Sequence, residues 1–370
     1  MSSWRILVVD DEPGMLRSIE RVLGKDYHVA GARSPREGVG LATVFKPDLA
    51  ILDIQMPEMD GFQLMEELQA LDAELDVIFM TGSVHEIDAK LIKAIRKDAF
   101  YFLQKPFDRG VLLSLVERCL ERKRLERSNR DHLLRMEREL GDAQAFQQSL
   151  LPPRSCKIGG ISIFAHYIPC SELAGDFYDY APVSPDGVAI LVADVSGHGA
   201  SAAMLTGSVK SAFHAASADL YEPACVVDRV ASGIRAFGHH HFITLTCARV
   251  RNESLDFINA GHPAGILLNG ATGVALLEST GPIISPALSF SWEQRTIPIK
   301  RGCDRIILFT DALIEAEGKS GEYGLDRLIE ELQKGPVDGK ALSEHILERV
   351  RQFTADRLMN DDLTLVVADL

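Results

Sequence analysis

Positive charge is scarce in this sequence of 370 residues. Lysine and arginine number 39 against 53 aspartates and glutamates, so the formal net charge is −14. Nucleic acids are bound by clustered lysine and arginine, and this excess of acids therefore argues against broad contact with DNA or RNA. The sequence also lacks a helix-turn-helix with a basic recognition helix, which argues against a DNA-binding regulator.

Long apolar runs and paired cysteines are absent as well. No apolar stretch approaches the length that spans a membrane, and the amino terminus opens on a strand pattern rather than a signal peptide. The six cysteines are scattered without a CxxC pair, which is typical of core residues in a reducing compartment. We therefore expect a cytoplasmic protein without membrane contact. Its length allows two globular domains, each with its own core.

Carboxylates adjoin three short apolar runs in the second half of the chain. These acids are Asp194, Asp311 and Asp361, and a fourth, Asp176, lies in a Gly-Asp-Phe-Tyr segment. Acids that converge repel one another, and the repulsion is relieved by a raised pKa or by a hard cation. Because no cysteine or histidine stands at ligand spacing around them, an all-oxygen site favours magnesium or manganese over zinc. The alternative is that each acid merely caps a turn.

Five separated motifs follow one another from about residue 150 onward. They are residues 172–180 (ELAGDFYDY), 194–199 (DVSGHG), 259–263 (NAGHP), 309–316 (FTDALIEA) and 360–367 (NDDLTLVV). In order and spacing they resemble the metal-dependent protein serine/threonine phosphatases, and most of all the bacterial branch of stage-II-sporulation and stress-sigma-factor regulators. The resemblance implies an α+β fold, a two-sheet sandwich flanked by helices, with two Mn²⁺ or Mg²⁺ ions between the sheets.

The phosphatase resemblance also implies a role for each acid. Asp194 would bridge both ions, and the backbone carbonyl of Val195 would bind one of them. Asp311 and Asp361 would complete the other ion's coordination. Asp176 would hold a water at the metals. The substrate would be phosphoserine or phosphothreonine on a protein, and the family points to an anti-sigma-factor antagonist.

Two alanines depart from this resemblance. Ala174 and Ala312 stand where the family usually has glycine, and either would strain a backbone position that needed a positive φ. They suggest an alternative function, a phosphatase-like module that binds its partner without turning it over. Retention of all four acids favours the enzyme. The role of His262, in the NAGHP segment, stays open between lining the pocket and closing a turn.

The first 122 residues alternate short apolar runs with helical periodicity, which predicts an α/β domain with a parallel sheet. Polar residues follow the strands, at the edge where open α/β sheets place their sites. Four features come in a fixed order: the acidic pair at residues 10–11 (DD), residues 52–61 (LDIQMPEMDG), Thr81 and residues 102–106 (FLQKP). In these features the sequence from residue 5 to about 122 is similar to the receiver domain of two-component response regulators. That likeness implies a doubly wound fold with a parallel five-stranded sheet, and Phe102 falls where the family carries its switch aromatic.

The receiver resemblance implies a phosphorylation site. Asp53 would accept a phosphoryl group from a cognate histidine kinase, and Asp10 and Asp11 would join it in holding Mg²⁺. Lys105 would pair with the phosphoryl oxygens, and Thr81 would hydrogen-bond one of them.

Between the two domains the pattern is purely helical. Positions spaced by four and three form the seam of a coiled coil; they are Leu125, Asn129, Leu133, Met136, Leu140, Ala143, Gln147 and Leu150. Asn129 and Gln147 would be polar seam positions, which can fix register and strand number. We expect a parallel homodimer through this helix. A single long helix packed on its own domain is the alternative.

Together these features predict a response regulator in three parts. They are a receiver domain (residues 1–122), a coiled-coil linker (123–150) and a phosphatase domain (151–370). Phosphorylation of Asp53 would control the phosphatase. The direction of that control, the identity of kinase and substrate, and whether the dimer is constitutive stay open.

Overall fold

The computed structural model describes residues 4–82, 101–183, 186–197, 199–237, 241–270, 273–287, 290–319, 321–355, 357 and 360–370. The chain divides into two compact units, Met1–Arg135 and Met136–Leu370. Among the helices of the described residues, none has the length and apolarity that a membrane span requires.

The first unit is built on a parallel five-stranded sheet. Its strands are Arg5–Val9 (β1), His28–Ala32 (β2), Leu49–Asp53 (β3), Asp76–Thr81 (β4) and Tyr101–Gln104 (β5), in the order β2-β1-β3-β4-β5. The helices are Pro13–Leu23 (α1), Pro35–Phe45 (α2) and Gly61–Leu71 (α3), followed by the long helix Arg109–Leu150 (α4). Both faces of the sheet are covered by helices, so the four successive residues 6–9 of β1 are all apolar and buried. The predicted doubly wound receiver fold is confirmed.

Helix α4 is anchored to the first unit by buried side chains. Val116 lies in the apolar core on one face of the sheet. Two turns further on, the Lys123 ammonium is buried and donates to the backbone carbonyls of Asp48 and Glu74 at 2.8 and 2.6 Å. Arg127 pairs with the Asp48 carboxylate at 2.9 Å. The helix is therefore held on the first unit well past its last core contact.

The predicted seam of α4 divides into two parts. Four of its apolar positions are 38–61% exposed: Leu125, Leu133, Met136 and Leu140. Gln147, in contrast, is buried in the second unit, and Leu150 packs against the core of that unit. The prediction that Gln147 is a polar seam position is therefore wrong, because its own domain already covers it. The homodimer stays a prediction for the exposed part.

The second unit contains two sheets packed face to face. The five-stranded sheet comprises Asp176–Val183 (β8), Gly187–Val195 (β9), Ile243–Arg251 (β10), Ser254–Ala260 (β11) and Arg295–Pro298 (β14), in the order β14-β11-β10-β9-β8. The six-stranded sheet comprises Ser155–Ile158 (β6), Ile161–Ile168 (β7), Gly265–Asn269 (β12), Gly273–Leu277 (β13), Arg305–Phe309 (β15) and Leu363–Asp369 (β18), in the order β13-β12-β15-β18-β7-β6. A short ribbon pairs Glu317–Gly318 (β16) with Gly321–Glu322 (β17).

Helices cover the outer face of each sheet. Ala200–Ala215 (α5) and Pro223–Ile234 (α6) pack on the five-stranded sheet, and Leu325–Lys334 (α7) and Gly339–Thr354 (α8) pack on the six-stranded sheet. A third apolar cluster fills the space between the sheets. The predicted two-sheet sandwich flanked by helices is confirmed.

Strand β8 was not predicted from the sequence. It carries the buried acid Asp179 and an exposed proline, Pro182, which interrupt the apolar pattern. Proline is tolerated because β8 lies at the edge of its sheet. The Asp179 carboxylate is tied to helix α5 by Lys210 and His214, at 2.8 and 2.9 Å. Tertiary partners therefore decide this strand.

Candidate functional site

Strand ends from both sheets of the second unit bring the four predicted acids together. Asp176 begins β8 and is the register partner of Asp194, near the end of β9. Register partners project from the same face, so both carboxylates enter the space between the sheets. Asp311 lies two residues after the end of β15 and Asp361 two residues before the start of β18, and these two strands pair antiparallel. Acids that are far apart in the sequence thus meet at one end of the sandwich.

Burial and mutual repulsion raise the pKa of the Asp176, Asp194 and Asp311 carboxyls. The pKa of Asp194 rises to about 7, first through burial and then through Asp311, Asp361 and Asp362. Burial, and after it Asp361, raises the pKa of Asp311. Burial also raises the pKa of Asp176 well above its ordinary value. Repulsion of this kind is what a divalent cation relieves.

Two threonines hold the Asp176 carboxylate in place. The hydroxyls of Thr310 and Thr364 donate to Asp176 Oδ2 at 2.8 and 2.6 Å. Thr310 follows β15 and Thr364 lies in β18, so both belong to the sheet opposite Asp176. The sequence analysis missed these residues, although Thr310 adjoins the predicted Asp311 and Thr364 lies three residues after the predicted Asp361.

A fifth acid, Asp362, clamps the turn that leads into β8. It is 3% exposed, and its carboxylate accepts the backbone N–H groups of Cys170 and Gly175 at 2.8 and 2.7 Å. Asp361, in contrast, is exposed. Cys170, Asp361 and Asp362 each offer a ligand atom within 4.8 Å of the others. The sequence analysis gave Asp361 a role and overlooked its neighbour.

Gly175 is required by a close approach of backbone to backbone. A Cβ at this position would lie 2.5 Å from the carbonyl oxygen of Val195 and 2.9 Å from that of Gly197. Val195 is the residue whose carbonyl was predicted to bind a cation. Neither Ala174 nor Ala312 has a positive φ. The strain that an alanine would cause at a left-handed position therefore does not arise at either of them.

The residues present fit a divalent cation. Within the described part of the chain, Asp194, Asp311 and Asp361 form no ion pair with a basic side chain, and the Asp194 carboxylate has no hydrogen-bond donor. Gathered carboxylates without a basic partner, next to a backbone carbonyl, are the oxygen donors that Mg²⁺ and Mn²⁺ prefer.

The first unit brings together a second group of predicted residues. Lys105 Nζ donates to Asp10 Oδ2 at 2.7 Å and to Asp53 Oδ2 at 2.9 Å. Asp10, Asp11 and Asp53 each offer a carboxylate oxygen within 4.8 Å of the others. Burial raises the pKa of Asp53, and hydrogen bonding from Lys105 opposes that rise. Three carboxylates at this edge of the sheet fit a magnesium ion beside a phosphoryl group.

Two further receiver residues lie on the neighbouring strands. Thr81 ends β4 and is buried, and its carbonyl accepts the backbone N–H of Lys105 at 2.7 Å. The Phe102 ring of β5 is half-buried and stacks on Phe79, with ring centroids 5.6 Å apart. Thr81 is thus joined to Lys105 through the backbone, whereas the Phe102 ring packs against the neighbouring strand β4.

Models of two known families match the two parts of the chain separately. The sequence model of the family described as stage II sporulation protein E matches residues 184–370, just over half of the chain. The chain belongs to the stage II sporulation protein E family. The model of the response regulator receiver domain matches residues 6–117. The molecule is thus a receiver domain fused to a phosphatase domain of the stage II sporulation protein E type.

Individual relatives support the fold of this family member. The SiaA-PP2C domain of Pseudomonas aeruginosa is 20% identical with a TM-score of 0.56, over 65% of this chain and 98% of that domain. The transcriptional regulatory protein GlrR of Escherichia coli is 37% identical over 117 residues, 31% of this chain and 26% of GlrR. The C4-dicarboxylate transport transcriptional regulatory protein DctD of Pseudomonas aeruginosa is 34% identical over 127 residues, 34% and 27% of the two chains. The chain thus spans about a quarter of the length of these curated relatives.

We expect Asp362→Asn to lower the stability of the protein and Asp361→Asn to weaken its response to Mn²⁺. Asp362→Asn weakens the acceptor of two backbone N–H groups, so its free energy of unfolding should fall by about 2 kcal/mol. Asp361→Asn removes an exposed carboxylate, so its stability should hold while the Mn²⁺ concentration for half-maximal activity rises about tenfold. Urea denaturation and Mn²⁺ titration measure the two effects. Equal destabilisation by both variants would contradict this division of roles.

Proposed function

We propose that the second unit hydrolyses phosphoserine or phosphothreonine on a partner protein with the help of two Mn²⁺ or Mg²⁺ ions. The convergence of Asp176, Asp194, Asp311 and Asp361 from both sheets supports this proposal. Asp194 would lie between the two ions, the Val195 carbonyl would bind one, and Asp311 and Asp361 would hold the other. When bound, the ions lower the pKa of a water and neutralise phosphoryl charge.

The protein's own residues orient the reaction. Thr310 and Thr364 both donate to Oδ2 of Asp176, which leaves Oδ1 without a hydrogen-bond partner among the described residues. In this proposal Oδ1 accepts a proton from the attacking water. Burial raises the pKa of Asp176, which makes its carboxylate a stronger base than an exposed aspartate. Water attacks phosphorus directly, and no covalent enzyme intermediate forms.

The alternative of a binding module without turnover now has less support. It depended on strain at Ala174 and Ala312, and neither backbone position has a positive φ. A pure binding module also has no need for repelling, buried carboxylates, which cost stability unless a cation neutralises them. We therefore favour the enzyme.

We further propose that a cognate histidine kinase phosphorylates Asp53 and so controls the phosphatase. Lys105 contacts both Asp10 and Asp53, and a phosphoryl group on Asp53 would compete for its ammonium. Asp10, Asp11 and Asp53 would hold the Mg²⁺ that accompanies this group, and Thr81 would donate to a phosphoryl oxygen. The ion pairs of Lys105 therefore differ between the two states of the receiver.

Helix α4 offers a route from the receiver to the phosphatase. At one end Lys123 anchors it to the first unit. At the other end the Gln147 side chain forms a two-sided contact with Ala174. Gln147 Nε2 donates to the Ala174 carbonyl at 2.7 Å, and the Ala174 N–H donates to Oε1 at 3.1 Å. Since Ala174 precedes Gly175 and Asp176, displacing this end of α4 would displace the Asp176 carboxylate.

The partners are proposed from the family and from exposed surface. The exposed apolar positions of α4, from Leu125 to Leu140, would pair two copies of the chain as a parallel coiled coil. The substrate would be a phosphorylated anti-sigma-factor antagonist. All six cysteines are free, which fits a protein that acts in the reducing cytoplasm.

The proposal is tested with the full chain, a phosphoserine peptide and Mn²⁺, with and without beryllofluoride as a mimic of the phosphoryl group. We expect Mn²⁺-dependent phosphate release and, on addition of beryllofluoride, a change in kcat of about fivefold or more, the lower end of ordinary coupling energies. Molecular mass is measured alongside. Asp53→Asn should not respond to beryllofluoride.

Gln147→Leu and Gln148→Leu test the route through α4. Gln148 is exposed, so its variant is a matched control that should keep the full response. Gln147→Leu loses both contacts with Ala174 and should lose the response to beryllofluoride. A full response in Gln147→Leu would reject the route, whereas no phosphate release by the wild type would reject the phosphatase.

A further inference from the structure

The buried ring of His262 has no task in the mechanism above. The turn of the NAGHP segment is closed by Asn259, whose Oδ1 accepts the His262 N–H at 2.8 Å and whose Nδ2 donates to the Pro263 carbonyl at 3.2 Å. The His262 side chain is therefore free for another role. It is 5% exposed, and its Nδ1 lies 2.7 Å from Thr244 Oγ1.

Thr244 lies in the same row as two of the predicted acids. It is the register partner of Asp194 across β9 and β10, and Asp194 is the register partner of Asp176 across β8 and β9. All three side chains therefore project into the space between the sheets. Side chains of register partners are about 5 Å apart at Cβ, so the Thr244 hydroxyl lies beside the Asp194 carboxylate.

The two ring nitrogens of His262 lie in different surroundings. Nδ1 is within hydrogen-bond distance of Thr244 Oγ1, whereas Nε2 has no hydrogen-bond partner among the described residues. A neutral imidazole has one N–H and one acceptor nitrogen. In the tautomer that carries its N–H on Nε2, Nδ1 accepts the Thr244 O–H, and the lone pairs of Thr244 Oγ1 remain available to the site.

We propose that Thr244 is an additional, uncharged oxygen of the cation site and that His262 is the positioning residue that orients it. The inference rests on the proposed function only in that a divalent cation occupies the site. A hydroxyl adds an oxygen ligand without adding to the repulsion that already exists between Asp194 and its acidic neighbours. Because the Thr244 hydroxyl donates its hydrogen to His262 Nδ1, the lone pairs of Thr244 Oγ1 point away from the ring.

The test is Mn²⁺ binding to the full chain without substrate, measured by calorimetry and by the spectroscopic signal of free Mn²⁺. Thr244→Val is isosteric and lacks the hydroxyl, so we expect its Mn²⁺ affinity to fall about tenfold. Thr244→Ser should bind like the wild type. His262→Leu should resemble Thr244→Val, whereas His262→Asn keeps an acceptor near Nδ1 and should restore much of the affinity.

Thr246→Val is the matched control. Thr246 lies two residues further along β10 on the same face, is fully buried, and has no hydrogen-bond partner for its hydroxyl among the described residues. Its variant should bind Mn²⁺ like the wild type. In a chelator, Thr244→Val should unfold at a somewhat lower temperature than the wild type because it leaves His262 Nδ1 without a partner, whereas Thr246→Val should not. Only Thr244→Val should lose the rise in unfolding temperature that Mn²⁺ produces.

The outcomes separate this inference from the proposed function. If Thr244→Val bound Mn²⁺ with wild-type affinity, the inference about Thr244 would be overturned. An equal loss of Mn²⁺ affinity in Thr246→Val would also overturn it, because the loss would then be an effect of packing. If the wild type binds Mn²⁺, Asp194→Asn does not, and no phosphate is released, the proposed function fails. A selective loss of affinity in Thr244→Val would support the inference even then.

Discussion

Asp194→Asn is expected to abolish Mn²⁺-dependent phosphate release, with a fall in kcat/KM of at least about a hundredfold. Asp194 is the acid proposed to lie between the two ions. Among the described residues its carboxylate has no hydrogen-bond or ion-pair partner, so binding the ions is its proposed role. Phosphate release from p-nitrophenyl phosphate over a Mn²⁺ titration measures the loss. Asp219→Asn, which removes an exposed acid paired with Arg229, is the control. Full activity in Asp194→Asn would contradict the cation site.

In the absence of a divalent cation, Asp194→Asn is expected to stabilise the folded protein at high pH. The pKa of Asp194 is about 7 in the folded protein and that of an ordinary aspartate in the unfolded chain. The folded state therefore holds its proton more tightly, and the favourable contribution, complete below about pH 4, is lost as the pH rises to and through 7. In a chelator at pH 8, Asp194→Asn should be more stable than the wild type, and at pH 4 the gain should largely vanish. Urea denaturation at both pH values measures the difference.

Gly175→Ala is expected to weaken both Mn²⁺ binding and turnover by more than about tenfold. A Cβ 2.5 Å from the Val195 carbonyl oxygen cannot be accommodated without a shift of backbone. That shift moves the carbonyl proposed as a cation ligand and the neighbouring Asp176. It also disturbs the Gly175 N–H that Asp362 accepts at 2.7 Å.

Ala174→Gly is the matched control for that variant, because it changes the adjacent residue in the opposite direction. Ala174 has no positive φ, so the glycine relieves no strain, and Mn²⁺ dependence should stay close to that of the wild type. Calorimetric titration with Mn²⁺ compares the two variants. Unchanged binding in Gly175→Ala would show that the Val195 carbonyl takes no part in the site.

The receiver site follows directly from its sequence. In a parallel sheet the carboxyl ends of neighbouring strands meet at one edge, so polar residues that follow the strands are already neighbours. Asp10, Asp53 and Lys105 were predicted in this way and lie within hydrogen-bond distance. Local apolar runs were likewise enough to predict the parallel sheet and the long helix.

The phosphatase site depended on more than local pattern. Antiparallel strands place acids at either end of a sheet, and only the resemblance to a known family indicated that Asp176, Asp194, Asp311 and Asp361 converge. The sequence could not choose between Asp361 and Asp362 as the buried residue. That choice depends on which carboxylate faces the turn at Gly175, a contact between positions 187 residues apart.

What the sequence determined is the order of the elements apart from β8, the two folds and the acids available to each site. Tertiary structure alone decided how those acids are held and what surrounds them. Thr310 and Thr364 reach Asp176 only because the two sheets pack face to face. Gln147 has the spacing of a coiled-coil seam yet is buried in its own domain. The physical reason is that periodicity specifies which face of an element is apolar, whereas the partner of that face is decided by distant parts of the chain.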